Sequence, residues 1–183
     1  LSLVFDNKSF KLDAGVRYQN IKFGLNESLL PNLGIPLELS ENRLGALGNI
    51  QVKLFDKFQL NSFLEVSRGN AFGSYLKTTN NVKFEPIRDY FVDAHVNFQS
   101  AVPSFNYLAN TSVYSQYNYY LQDAKNQTVT DIGGSVNLKW FQTQIFANIY
   151  RIDNYAYFDA AALPKQSAGS VNISQIGGDA TFS

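Results

Sequence analysis

The chain has 183 residues and a formal net charge of zero, fifteen Lys plus Arg against fifteen Asp plus Glu, which excludes a basic face for nucleic acid and an acidic tail. Apolar residues make up 45% and aromatics 15%, but charged residues only 16%, below the quarter or so of ordinary soluble domains, so Asn, Gln, Ser and Thr supply the polarity. No Cys is present, so there is no disulfide, thiolate nucleophile or zinc-thiolate site, and no apolar run reaches the roughly twenty residues of a spanning helix.

Leu1, Leu3 and Phe5 alternate with Ser2 and Val4 ahead of a turn at Asp6 to Ser9. Phe10, Leu12, Ala14, Val16 and Tyr18 then alternate with Lys11, Asp13, Gly15, Arg17 and Gln19. Period-two alternation predicts strands with one apolar and one polar face. Between 26 and 42 the pattern dissolves around Pro31, Gly34 and Pro36, which predicts a long loop, because proline cannot donate to a sheet ladder. A hairpin follows, with Ile50, Val52 and Leu54 before the break Asp56-Lys57 and Phe58, Leu60, Leu64 and Val66 after it. A weaker run over 74–84 leads to a turn at Glu85-Pro86-Ile87-Arg88.

The clearest strand is YFVDAHVNFQ, residues 90–99, with Tyr90, Val92, Ala94, Val96 and Phe98 on one face. A break at 100–104 leads into a Tyr/Asn-rich stretch that fits strand or ordered loop. Residues 115–140 are expected to form one long strand, the alternative being two strands turning at 123–127. A tight reversal near Trp140-Phe141 starts a strand over 142–158, a second loop covers 159–169, and Ile176, Ala180 and Phe182 begin a last strand. On this reading six strands (43–55, 58–69, 74–84, 89–100, 115–140 and 142–158) separate the two Pro-containing breaks. An even number puts both on one side of the molecule. At most Ser28-Leu29-Leu30 makes a helical turn.

The predicted fold is all-β, an antiparallel transmembrane β-barrel with about nine strands of a larger barrel visible. Residues 1–183 are expected to be an internal piece of a longer chain, since no Met is present and Leu1 falls in mid-pattern. The rival is a soluble sandwich, in which the apolar faces meet a protein core. Uncharged polar faces and aromatics at strand ends (Phe55 and Phe58, Phe84 and Tyr90, Trp140 and Phe141) favour the barrel. Ile50, Val52, Leu54, Val92, Val96 and Val136 are then expected to face lipid. Lys53, Glu65, Asp93, His95, Asn97, Asn137 and Asn148 are expected to line the lumen, and Pro31, Pro36, Pro164 and Lys165 to lie in outer loops.

No catalytic constellation, cofactor or metal site is expected. His95, the single histidine, stands on the polar face beside Asp93 and Asn97, where a hydrogen-bonded lumen residue is the better account than a ligand or base. Asp13 with Arg17, and Glu65 with Lys53, are candidate pairs facing across the lumen. Gly177-Gly178-Asp179 lacks the helix and Lys-Ser/Thr of a phosphate loop, so its glycines read as places of bending or close packing. The aromatic stretch Tyr114 to Tyr120 suits stacking on sugars, contact with a partner, or packing within the loops.

Residues 149–183 carry the most specific pattern: Ile152-Asp153-Asn154-Tyr155, Tyr157-Phe158, Leu163-Pro164-Lys165-Gln166 and Gly177-Gly178-Asp179. With AVPSFNYL at 101–108, this resembles the putative porins of Bacteroidetes, barrels distantly similar to TonB-dependent receptors. The resemblance implies a non-enzymatic porin in the outer membrane of a Gram-negative bacterium, with outer-membrane lipid, small solutes and other envelope proteins as partners. The barrel part of a TonB-dependent receptor, or a structural subunit of a secretion or gliding complex, are the alternatives it leaves open.

Overall fold

The computed structural model describes residues 2–24, 38–110, 119–121, 123–138 and 143–181. Pro31, Pro36, Ser28-Leu29-Leu30, Tyr114 to Asn118 and the reversal at Trp140-Phe141 lie outside the described residues. The chain runs through β1 (Ser2–Asp6), β2 (Phe10–Gly24), β3 (Glu38–Leu54), β4 (Phe58–Gly69), β5 (Ser74–Ile87) and β6 (Tyr90–Ala101). Next come the helical turn α1 (Phe105–Leu108), β7 (Ala109–Asn110), β8 (Tyr119–Tyr120), β9 (Gln127–Leu138) and β10 (Thr143–Asp153). Then follow β11 (Ala156–Phe158), β12 (Pro164–Gln166) and β13 (Val171–Ala180). No helix among the described residues is long and apolar enough to cross a membrane.

Nine strands form one sheet in the order β1-β2-β3-β4-β5-β6-β9-β10-β13, and β1 and β13 are its edges. Every neighbouring pair is antiparallel. The fold is therefore all-β, as the alternation predicted. One end of the sheet carries the tight connections, the turn end. The other, the loop end, carries the connections after β2, β4, β6 and β10.

Side-chain chemistry explains the turn end. Asn7 Oδ1 accepts the backbone N–H groups of Ser9 at 2.8 Å and Phe10 at 3.2 Å, which closes the first reversal. The break expected at Asp56-Lys57 takes in Phe55 as well. Phe55 (φ 52°) and Asp56 (φ 54°) are both left-handed there, and Leu54 pairs directly with Phe58. Pro86 lies inside β5 rather than in a turn. The β5–β6 register shifts between Phe84 and Ile87, so a bulge absorbs the residue that cannot donate. The reversal itself moves on to Arg88-Asp89.

Three other expectations are corrected. β3 starts at Glu38, so residues 38–42 belong to a strand rather than to the loop over 26–42. The long strand over 115–140 does not form. Among the described residues of that span only Gln127–Leu138 joins the sheet, while β7 and β8 make a separate pair off it. β10 stops at Asp153, where Asn154 turns left-handed (φ 53°), short of the end of the strand expected over 142–158. β11, at the end of that span, pairs with β12, inside the expected loop over 159–169, as a small hairpin. Pro164 opens β12, the place in a strand where a missing donor costs least. The strands between the two breaks remain six, β3, β4, β5, β6, β9 and β10, so β2 and β10 both end at the loop end.

Candidate functional site

Cross-strand partners share a face, so the pairing register sorts the whole sheet into two. One face carries Phe10, Leu12, Val16 and Tyr18 of β2, Ile50, Val52 and Leu54 of β3, and Leu60, Leu64 and Val66 of β4. It continues through Val92, Val96, Val136, Ile145 and Ile149. The six residues expected to face lipid all stand here. Val52 is half-buried, the other five are exposed (Val96 49%), and Ile149 and Ile176 on the same face are 55% and 84% exposed. Among the described residues the only buried apolar side chains are Leu108 and Ala109, which lie outside the sheet.

This apolar face is a band. On β2 it spans the nine residues from Phe10 to Tyr18 and then gives way to Asn20 and Lys22. Arg68, Ser74, Ser100, Thr130 and Arg151 mark the same boundary on the following strands. Phe58, Phe84 and Tyr90 stand at its turn end. Asn80 interrupts it, but its polar atoms are satisfied locally. Ser62 Oγ donates to its Oδ1 at 2.6 Å, and its Nδ2 donates to Thr78 Oγ1 and Val96 O at 2.9 Å.

The opposite face is polar and more enclosed, with Glu65 and Asp131 side chains only 18% and 19% exposed. Lys53, Glu65, Asp93, His95, Asn97, Asn137 and Asn148 all stand on it. His95 Nε2 lies 3.2 Å from Asp131 Oδ1, and Asn97 Nδ2 donates to Asp131 Oδ2 at 3.0 Å. Ser135 Oγ donates to Asp93 Oδ2 at 3.3 Å. The ion pairs differ from those expected. Arg17 Nη1 reaches past β3 to Glu65 Oε1 at 3.3 Å, with Gly45 of β3 on the row between Arg17 and Ser67. Asp13 keeps a buried Oδ1 without a hydrogen-bond partner, and Lys53 makes no ion pair among the described residues.

The register also assembles a row that the sequence does not display. Gln51 pairs with Asn61, Asn61 with Asn81, Asn81 with His95, His95 with Gly133, Gly133 with Asn148 and Asn148 with Gln175. Six uncharged hydrogen-bonding side chains therefore cross seven strands side by side. Gly133 is the exception that permits it. A Cβ there would fall 2.7 Å from His95 Cε1 and closer still to Asn148 Oδ1, so the neighbours meet over the glycine. Gly177 plays the same part for Phe146, whose Cζ would lie 2.5 Å from an added Cβ, which fits the close packing expected of that glycine pair. Gln51, Asn61, Asn81, Asp131 and Gln175 were not singled out from the sequence, because only the register brings them together.

At the loop end, Glu41 is fully buried. Its Oε2 accepts the backbone N–H groups of Ala71 at 2.7 Å and Phe72 at 3.1 Å, and its Oε1 accepts from Arg43 Nε at 3.2 Å. This clamps the short turn after β4 to the extended start of β3. Pro164 and Lys165 stand on the β11–β12 hairpin, and Tyr107 Oη donates to the carbonyls of Tyr157 (3.0 Å) and Lys165. Tyr107 and Phe158 rings meet edge to face at 5.2 Å, and Tyr119 lies 6.2 Å from Phe158.

No group of three or more potential metal ligands occurs among the described residues. No curated protein matches the chain. A family model described as "Putative porin" matches residues 2–183. The chain belongs to that family.

Proposed function

We propose that this member of the putative porin family is an outer-membrane β-barrel protein of a Gram-negative bacterium that gives small solutes a path along the polar face of its sheet. The observation that carries the reading is the inversion of the two faces: valines and isoleucines open on one, the Glu65 and Asp131 carboxylates enclosed on the other. In water that arrangement would leave a large apolar surface without cover. In a bilayer the apolar band meets acyl chains, and the polar face surrounds water. The band's nine residues on β2 match the 9–11 that a tilted strand needs to cross. Pairing with further strands at β1 and β13 would close the sheet and satisfy its edges. On this reading the work is sieving by width and polarity, without catalysis. The loop end, with Pro164 and Lys165, then faces the cell exterior, since long connections of such barrels lie outside.

Single cysteines test the two faces, because this chain contains none of its own. In outer membranes carrying the full-length protein, Val96→Cys should react with a lipid-soluble maleimide and resist a water-soluble one. Asn97→Cys, its chain neighbour, should do the reverse. Water-soluble labelling at both positions would put the apolar face in water and end the membrane reading.

A further inference from the structure

We propose that the row Gln51, Asn61, Asn81, His95, Asn148 and Gln175 is a binding belt for neutral, polyhydroxylated solutes, saccharides by chemical class; this rests on the polar face being the wall of a solute path. Successive members stand one strand apart, roughly 4.8 Å, except His95 and Asn148, which lie two strands apart on either side of Gly133. Each carboxamide offers both donors and an acceptor, the combination a hydroxyl group needs. Gln51, Asn61, Asn81, Asn148 and Gln175 spend none of that capacity on another described residue through their side chains.

Most of the charges around the belt are occupied, and Lys53, one row toward the turn end from Gln51, is an exception without an ion pair among the described residues. Arg17 holds Glu65, Lys11 lies 3.6 Å from Asp6, and Asp131 is held by His95 and Asn97. Glu65 stands directly opposite Lys77, and Lys83 opposite Asp93 while its Nζ lies 4.0 Å from the centre of the Phe91 ring. A solute at the belt therefore meets free amides and little net field. A charged solute would have to give up water at a row whose own side chains carry no formal charge to repay it.

Aromatic rings complete the surface. Phe63 and Tyr150 stand on the adjoining row toward the loop end, next along their strands after Asn61 and Asn148 on the same face. Phe146 stands on the row toward the turn end, over Gly177. A sugar presents hydroxyls at its edge and C–H groups on its faces. Amides beside flat rings match both, whereas amides alone would suit peptide equally.

The test is ionic current through the full-length protein in a planar bilayer, with maltotriose and a zwitterionic tripeptide of similar mass added in turn. Maltotriose should block the current in a saturable way, and the tripeptide should block far less. Asn61→Ala with Asn81→Ala should raise the half-blocking maltotriose concentration about tenfold, the worth of two modest hydrogen bonds. Asn81→Ala alone should raise it about threefold, and Gln99→Ala, away from the row, should leave it unchanged. Normal conductance in each variant reports an intact barrel. Current without maltotriose block, equal block by the tripeptide, or an unmoved half-block in the variants would overturn the belt and leave the pore standing. No current from the wild-type protein would remove the solute path and the belt with it.

Discussion

The nine-stranded sheet and the loop cluster at its end are organised by opposite rules. In the cluster of α1, β7, β8, β11 and β12, Leu108 and Ala109 go inward, each 4% exposed, and the Tyr107 and Tyr119 rings pack on Phe158, which itself stays 52% exposed. In the sheet, apolar groups go outward and the polar face is the enclosed one. The cluster is built as water demands. The sheet's strands are instead joined by ladder hydrogen bonds, and on the proposed reading its apolar face gains from an apolar medium. On that reading one chain meets two solvents.

The sharpest way to break this contrast is a charge at the middle of each face. Val96→Arg should destabilise the full-length protein in lipid vesicles by about 2–4 kcal/mol, while Asn61→Arg on the polar face should cost under about 1 kcal/mol. Denaturant unfolding, read by the loss of the compact heat-modifiable form on a gel, measures both. Small and equal effects would mean that the apolar face sees water.

The cluster should respond as a soluble core does, and separately from the sheet. Leu108→Ala should cost about 2 kcal/mol of local stability, at the low end for buried leucine because so small a core collapses easily around the gap. Protease cleavage within 159–163 should accelerate on intact cells, with the unfolding midpoint of the sheet unchanged. A lowered midpoint instead would show that cluster and sheet unfold as one unit.

How much of this was legible in the sequence followed the same division. β6 could be read residue by residue because its two faces differ in chemistry over Val92 to Gln99, and the faces of the sheet follow from such strands. Where the faces became alike the reading failed. Residues 38–42 of β3 place Ser40 and Asn42 on one face and Glu41 on the other, so no alternation marks them as strand. Thr78 and Asn80 on the apolar face weakened the β5 pattern in the same way, yet pairing on both sides holds the strand. The long strand over 115–140 failed because Tyr- and Asn-rich sequence suits either solvent, and Tyr119-Tyr120 pair with β7 off the sheet. The amide row was beyond reach, since it depends on the register of seven strands at once.

The finest probe of the cluster is one phenol. Tyr107 Oη donates to the carbonyls of Tyr157 and Lys165, one on each strand of the β11–β12 hairpin, so it ties that hairpin to α1. Burial raises its pKa above the ordinary phenol value, with the nearby Tyr157 phenol adding in the same direction. The raised pKa sets the sign of the pH effect: the bond's contribution is complete below about pH 10, the unfolded value, and is lost as pH rises through the folded one. Tyr107→Phe should therefore loosen the hairpin by about 1 kcal/mol at pH 8, seen as roughly fivefold faster cleavage within 159–163. Above pH 10 wild type should lose that protection while the variant changes only with the protease's own pH profile. A difference between them that held constant through alkaline pH would assign the effect to ring packing on Phe158, and the hydroxyl would have no part in holding the hairpin.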